Sequence, residues 1–303
     1  MIMDAAEHVP FYRRHWQQAG IDLTRIYSSV PLEFLPVVTR AHLLDSPPED
    51  LIDRRFRGVT VDKRALERQR KRFWNALREI GYVPGERVMI ISDDALMPTG
   101  ASLLRWTRVD PSLDDEAILA TYSRVRPGVL YGPLGLLTRL ATRLAASTEP
   151  VWQPRLVVST AEQLTDAKRV LLESTFGAKV ADFYSTPEQG LIAYSKPGVA
   201  GYRSFDDEFV IESLHATPGK GAGRLIVTDL VPGAMPLIRF DTGDSVTRDF
   251  AARGTTFAPA PIASFSQREP VRPDRKTRPA AVPERDRAVT DLHAGGLPGA
   301  LRA

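Results

Sequence analysis

Between residues 114 and 184 helix-length and strand-length apolar patterns alternate, and this alternation constrains the fold more than any other feature of the chain. Residues 114–123 read as a helix and Val129, Leu130 and Tyr131 as a short strand. Residues 133–146 are helical, with Leu134, Leu137, Leu140, Ala141 and Leu144 on one side. Leu156, Val157 and Val158 form a strand of the fully buried type, residues 164–176 a helix stopped by Gly177, and residues 179–184 the next strand. Apolar strands separated by amphipathic helices imply a mainly parallel sheet with helices on its faces. The class is α/β.

Upstream, residues 9–20 read as a short amphipathic helix with Phe11, Trp16 and Ala19 as buried positions. Thr39 is placed to cap a helical turn through Leu44, before Ser46-Pro47-Pro48 ends it. Residues 62–80 give the clearest helix: Asp62 as N-cap, Leu66, Phe73, Leu77 and Ile80 at helical spacing, and Gly81 as the stop. Residues 87–91 form a strand after it. Beyond about residue 200 the pattern changes to strands at 209–213, 223–228 and 236–240 with Gly and Pro between them, which predicts a small β-subdomain over about 200–248. From residue 249 to 303 periodicity disappears into an Ala/Pro/Arg-rich stretch, read as a disordered tail. The expected organisation is therefore a body at 1–248 and a tail at 249–303.

Charge narrows the partners. The sequence pI is about 9.2. Residues 251–303, however, hold nine Lys/Arg against five Asp/Glu, so that of the formal net charge of +3 the first 250 residues carry −1. A nearly neutral body has no general phosphate-attracting field, and no nucleic-acid partner is expected. No apolar run reaches the roughly 18–20 residues of a membrane helix. The first ten residues lack the basic and apolar parts of a secretory signal, so a cytoplasmic protein is expected. There are no cysteines, which excludes disulfides, a thiolate nucleophile and thiolate-bound zinc. The five histidines show no ligand spacing, and no Gly-x-Ser-x-Gly elbow is present.

Three segments could carry chemistry. Asp182-Phe183-Tyr184-Ser185-Thr186-Pro187-Glu188-Gln189-Gly190 follows a buried strand, where open α/β sheets place ligands. It offers an aromatic face, hydroxyls for phosphate and a carboxylate suited to Mg2+. Read alone, it is better explained as an ordinary strand-to-loop turn with a solvated Glu. Ser159-Thr160-Ala161-Glu162 leaves another strand and also reads as a helix-capping segment. The stretch Pro236-Leu237-Ile238-Arg239-Phe240-Asp241-Thr242-Gly243-Asp244 reads as a strand ending in a Gly turn flanked by two carboxylates. It is either a hairpin turn or a ribose-binding turn.

In order and spacing these pieces resemble the phenylacetate–CoA ligase branch of the adenylate-forming (AMP-binding) superfamily. The resemblance runs over roughly residues 8–248. It is carried by Val9-Pro10-Phe11-Tyr12-Arg13, Leu35-Pro36-Val37-Val38-Thr39-Arg40, Leu130-Tyr131-Gly132-Pro133, Thr160-Ala161-Glu162, Tyr184-Ser185-Thr186-Pro187-Glu188, Gly223-Arg224-Leu225-Ile226-Val227-Thr228-Asp229-Leu230 and the stretch ending at Asp244. It implies ATP-dependent activation of a small carboxylic acid, aromatic in the branch's type, to an acyl adenylate, which CoA then converts to a thioester. It places Thr160, Ala161 and Glu162 beside the adenine, with Asp182, Phe183, Tyr184 and Ser185 around the nucleotide. Thr186 falls at the α-phosphate, Glu188 on Mg2+ and Asp244 on the ribose. The catalytic assignments implied are Thr186 and Glu188.

The sequence departs from that pattern. Residues 50–61, where the family carries a Ser/Thr/Gly-rich phosphate loop ending in Lys, hold one glycine and no such loop. Ser185 and Pro187 replace a glycine and a hydroxyl residue. The family's small C-terminal domain, with its mobile lysine, has no counterpart after Val246. The resemblance thus implies impaired activity, or a truncated relative that retains only a nucleotide pocket. A homodimer, or a second chain supplying the missing domain, is compatible with it.

Overall fold

A computed structural model of the chain describes residues 1–24, 31–56, 62–93, 105–148, 150–214, 222–231, 233–249 and 256–259. Among these, helices α1 (Ile2–His8), α2 (Pro10–Gln18), α3 (Arg40–Leu44), α4 (Pro48–Leu51) and α5 (Lys63–Glu79) precede strands β1 (Val88–Ile91) and β2 (Trp106–Val109). Then α6 (Asp115–Val125), β3 (Val129–Pro133), α7 (Leu134–Ala145), β4 (Leu156–Thr160), α8 (Asp166–Phe176) and β5 (Lys179–Thr186) alternate as expected. Strands β6 (Gly190–Tyr194), β7 (Tyr202–Ser204), β8 (Phe209–Leu214), β9 (Gly223–Asp229), β10 (Phe240–Asp249) and β11 (Thr256–Pro259) complete the described chain. Contacts divide the chain into a unit at Met1–Phe265 and another at Ser266–Ala303, and the second lies outside the described residues.

One sheet of eleven strands runs in the order β2-β1-β3-β4-β5-β6-β7-β11-β10-β9-β8. The first five pair in parallel. From β5 onward every pair is antiparallel. The strand-rich segment expected at about 200–248 thus continues the same hydrogen-bonded sheet, joined through β11 on β7. Strand β11 lies past residue 248, inside the stretch read as a tail.

The period of two along the parallel strands explains the layering. Val88, Ile90, Val129, Tyr131, Leu156, Val158, Ala181 and Phe183 point to one face, where α5 covers them with Phe73, Ala76, Leu77 and Ile80. The alternate residues Met89, Ile91, Leu130, Val157 and Val180 face Ile118, Leu137, Leu140 and Phe176 of α6, α7 and α8. Strands buried on both faces must be apolar throughout, which is why they were legible. The Asp62 carboxylate accepts from the backbone of Arg64 and Ala65, both at 3.0 Å, and so caps α5. Thr39 caps α3 as expected. Gly177 closes α8 at φ +59, a conformation open to glycine at no steric cost.

A third core joins the N-terminal helices to the late part of the chain. Tyr12 and Trp16 of α2 pack with Leu35, Val38, Leu237, Ile238 and Phe240. The Tyr12 hydroxyl donates to Pro236 O at 3.0 Å and accepts from Ile238 N at 2.8 Å. Ala19, expected inside, is exposed because α2 has ended at Gln18. The strand expected at 236–240 starts only at Phe240. Arg239 sits at φ +52, a left-handed conformation that a strand cannot hold. Gly243 is not a hairpin turn but a bulge inside β10, at φ +81, where the register with β9 shifts between Asp241 and Ser245.

Candidate nucleotide site

Strands β4 and β5 are neighbours, and their C-terminal ends deliver two of the three candidate segments to one edge of the sheet. The Thr160 hydroxyl donates to Phe183 O at 3.0 Å, and its oxygen lies 3.3 Å from the Ser185 hydroxyl. Tyr184 reaches across the sheet and donates its hydroxyl to Asp244 Oδ2 at 2.7 Å, although the two are 60 positions apart in sequence. Its ring meets Tyr202 edge-on. The bulge at Gly243 aims Asp244, whose own N–H bonds the Thr242 hydroxyl at 3.2 Å. Thr160 with Ser185 and Tyr184 with Asp244 therefore form two hydrogen-bonded pairs, brought together by adjacent positions of β5 at a register shift.

Other expected residues are turned elsewhere. Phe183 is buried on the α5 face, edge-on to Phe73 and Tyr131. Glu162 accepts from Gly135 N at 3.0 Å and pairs with Lys168 at 3.1 Å, so it caps the N-terminal turn of α7. Ala161, exposed at φ +72, makes the tight exit from β4. The Thr186 hydroxyl accepts Gln189 N at 3.1 Å, closing the turn that holds Pro187 and Glu188.

Asp182 is buried, and its carboxylate accepts hydrogen bonds from the Ser159 and Tyr202 hydroxyls. Its backbone N–H bonds the Ser195 hydroxyl at 2.8 Å. Burial pushes its carboxyl up to about 6 from the ordinary 3.8, while the two hydroxyl donors pull the other way. The folded chain thus binds a proton here that the unfolded chain has released. This contribution favours the native state fully below about pH 3.8 and is lost as pH rises through about 6. Replacing Asp182 with Asn removes the titration. Across that window the variant should gain on the wild type by on the order of 2–3 kcal/mol. Urea denaturation from pH 4 to 8 reads this directly, and parallel stability curves would show that Asp182 stays ionised in the fold.

Glu188 shows a contact that no local pattern predicted. Its Oε1 accepts from Arg40 Nε at 2.8 Å and Nη2 at 2.7 Å, across 148 positions. Its Oε2 is buried with no partner among the described residues. The described residues contain no cluster of three or more His, Asp or Glu that could hold a metal by itself. A magnesium ion arriving with nucleotide phosphates needs only one or two protein carboxylates, so the donor chemistry of the unpaired Glu188 oxygen fits such an ion.

No family model and no curated protein sequence matches this chain. Solved structures do. A 2-hydroxyisobutyryl-CoA ligase in the postadenylation state with 2-HIB-AMP superposes with TM-score 0.71 at 19% identity, over 85% of this chain and 64% of that one. The same ligase in an open conformation with 2-HIB-AMP and CoA gives TM-score 0.69, over 85% of this chain and 65% of the ligase. The fold is that of the adenylate-forming acyl-CoA ligases. The chain spans a little under two thirds of those ligases' length. Among the described residues no helix is long and apolar enough to cross a membrane.

Proposed function

We propose that this chain binds AMP and acyl adenylate at the C-terminal edge of its parallel strands and uses ATP there to activate a small carboxylic acid. The supporting observation is the 2.7 Å hydrogen bond from Tyr184 to Asp244, with Ser185, the next residue of β5, paired to Thr160 of β4. In this reading a carboxylate oxygen of the acid attacks the α-phosphorus of ATP, pyrophosphate leaves, and an acyl adenylate remains for CoA thiol to take, releasing AMP. Tyr184 presents its ring to the adenine, and the Asp244 carboxylate accepts from the ribose hydroxyls. Thr186 keeps its hydroxyl proton for an α-phosphate oxygen, since the described bond uses only its lone pair. Glu188, through Oε2, would share a Mg2+ with the phosphates, and that ion would supply charge neutralisation. The acting body is residues 1–248 together with β11, in the cytoplasm.

A second reading, AMP binding without turnover, has its own support. Arg40 occupies one oxygen of Glu188, and residues 50–61 lack a glycine-rich loop before α5. Within that segment, 57–61 lie outside the described residues. Calorimetric titration with AMP and ATP, with and without Mg2+, combined with pyrophosphate release on phenylacetate and a panel of aryl and short-chain acids, separates the two. Acid-dependent pyrophosphate release supports activation. AMP binding without release supports the retained pocket, and no binding of either nucleotide overturns both.

A further inference from the structure

Opposite the candidate nucleotide edge, the amino ends of the parallel strands carry a line of cations. Val88 pairs in register with Trp106 on one side and Val129 on the other, Val129 with Leu156, and Leu156 with Lys179. The residues just before, Arg105, Arg87, Gly128 and Arg155, therefore lie in one row, with Lys179 opening β5 beside them. Backbone bonds carry the ladder into that row: Val88 N donates to Arg105 O at 3.2 Å, Gly128 N to Arg87 O at 2.8 Å and Arg155 N to Gly128 O at 2.9 Å. Arg126, the C-cap of α6, stands two residues before Gly128.

Only part of this charge is neutralised. Arg155 forks onto Glu86, with Nε and Nη2 both at 2.7 Å. Arg87, Arg105, Arg126 and Lys179 make no ion pair with a described residue. A helix dipole accounts for Arg124 in the last turn of α6 and for part of Arg126, but Arg87, Arg105 and Lys179 lie at strand starts. Trp152 joins two of the free cations: the Arg87 and Arg126 guanidinium carbons each lie 5.8 Å from its ring centroid. Two like charges thus meet at one ring, and an anion between them relieves their repulsion. The Trp152 Nε1–H donates to Pro127 O at 2.8 Å, and its carbonyl accepts from the Tyr122 hydroxyl at 2.5 Å. The ring is held in place, yet it is 37% exposed. A fixed, exposed Trp flanked by Arg is the composition of interface hot spots, and a side chain already ordered costs little further entropy on binding.

We infer that this edge docks an acidic segment of another protein, with carboxylates between Arg87 and Arg126 and an apolar stem on the Trp152 ring. Nucleic acid fits the edge less well. Its affinity rests on roughly 6–10 phosphate contacts, and the free cations here are few, on a body whose first 250 residues carry −1. The surface lies at the far ends of the strands from Tyr184 and Asp244 and stands whether or not nucleotide binds.

The test is titration of the full chain at pH 7 with a short peptide of alternating Glu and Ala, with its Gln counterpart, and with oligothymidylate. Calorimetry gives the affinity. Acrylamide quenching of tryptophan fluorescence gives the place, because Trp16 and Trp106 are buried and Trp74 partly so, leaving Trp152 the most accessible. The Glu peptide should bind saturably, at least tenfold tighter than the Gln peptide, and should shield Trp152 from acrylamide. The double variant Arg87→Gln/Arg126→Gln should lose at least tenfold in that affinity with no fall in melting temperature and no change in any AMP affinity. Arg64→Gln/Lys71→Gln, which removes the same charge from the exposed side of α5, should bind as the wild type does. A lower melting temperature in the first double variant, with peptide affinity unchanged, would make the two arginines structural partners of Trp152 and overturn the proposal. So would no saturable binding of the Glu peptide, equal loss in both double variants, or binding that leaves Trp152 quenching as it was. Preference for oligothymidylate would make the edge a nucleic-acid surface and overturn it as well.

Discussion

Arg239→Ala should lower the stability of the chain by about 3–5 kcal/mol, the range for removing one partner of a buried charge pair. The Arg239 guanidinium forks onto Glu212 of β8, with Nε at 3.1 Å and Nη2 at 3.0 Å. Its Nη1 donates to Glu33 O at 2.6 Å and to Leu35 O at 2.5 Å. The backbone of the same residue accepts from Val38 N at 2.9 Å and donates to the Thr228 hydroxyl at 2.8 Å. One side chain therefore ties the segment around residues 33–38 to β8, while its main chain joins that segment to β9. Truncation strands Glu212 and two carbonyls at once. Lysine should recover only a part, because an ammonium cannot fork onto a carboxylate. Glycine should lose about 1 kcal/mol less than alanine, because φ at 239 is +52 and only glycine holds that freely. Chemical denaturation of the three variants measures the series. A loss below about 1 kcal/mol for alanine would show that the N-terminal segment is held by its apolar core alone.

The same residue shows where sequence reading stops. Residues 236–240 are apolar enough to read as a strand, and nothing local reveals that Arg239 is left-handed, because what holds it there lies at 33–38 and 212. Residues 62–80 were legible for the opposite reason: the Asp62 cap and the Phe73, Leu77 and Ile80 stripe are both set within a few turns of one helix. The short strand β2 escaped because its middle pair, Thr107 and Arg108, breaks the apolar run. Within the site, Asp182 and Asp244 are the same residue type beside similar hydroxyls. Only the fold separates them, burying Asp182 against Tyr202 and setting Asp244 on a bulge opposite Tyr184. The Arg40 contact on Glu188 spans 148 positions and leaves no trace in spacing. Position along the chain thus located the candidate edge, while tertiary pairing decided which side chains reach it.

Asp244→Asn is expected to weaken AMP binding by roughly 10- to 100-fold, corresponding to one hydrogen bond to a charged group. A carboxylate accepts from both hydroxyls of a ribose, whereas an amide turns one acceptor into a donor that faces a hydroxyl already spoken for. The Tyr184 hydroxyl takes part of the same carboxylate, at Oδ2, so that the ring and the carboxylate, proposed above for base and sugar, are fixed relative to each other. Tyr184→Phe keeps the ring and cuts that tie, and should cost less than Asp244→Asn. Pyrophosphate and free adenine each lack the ribose, so their binding should be indifferent to Asp244→Asn. The bulge that presents the carboxylate is set by Gly243 at φ +81 and by Thr242, not by the Asp244 side chain, so the variant should fold with an unchanged melting temperature. Calorimetry with AMP, adenosine, adenine and pyrophosphate on the three proteins reads each part of the ligand against its own residue. Equal AMP affinity in wild type and Asp244→Asn would remove the nucleotide from this edge of the sheet, and with it the role assigned to Tyr184.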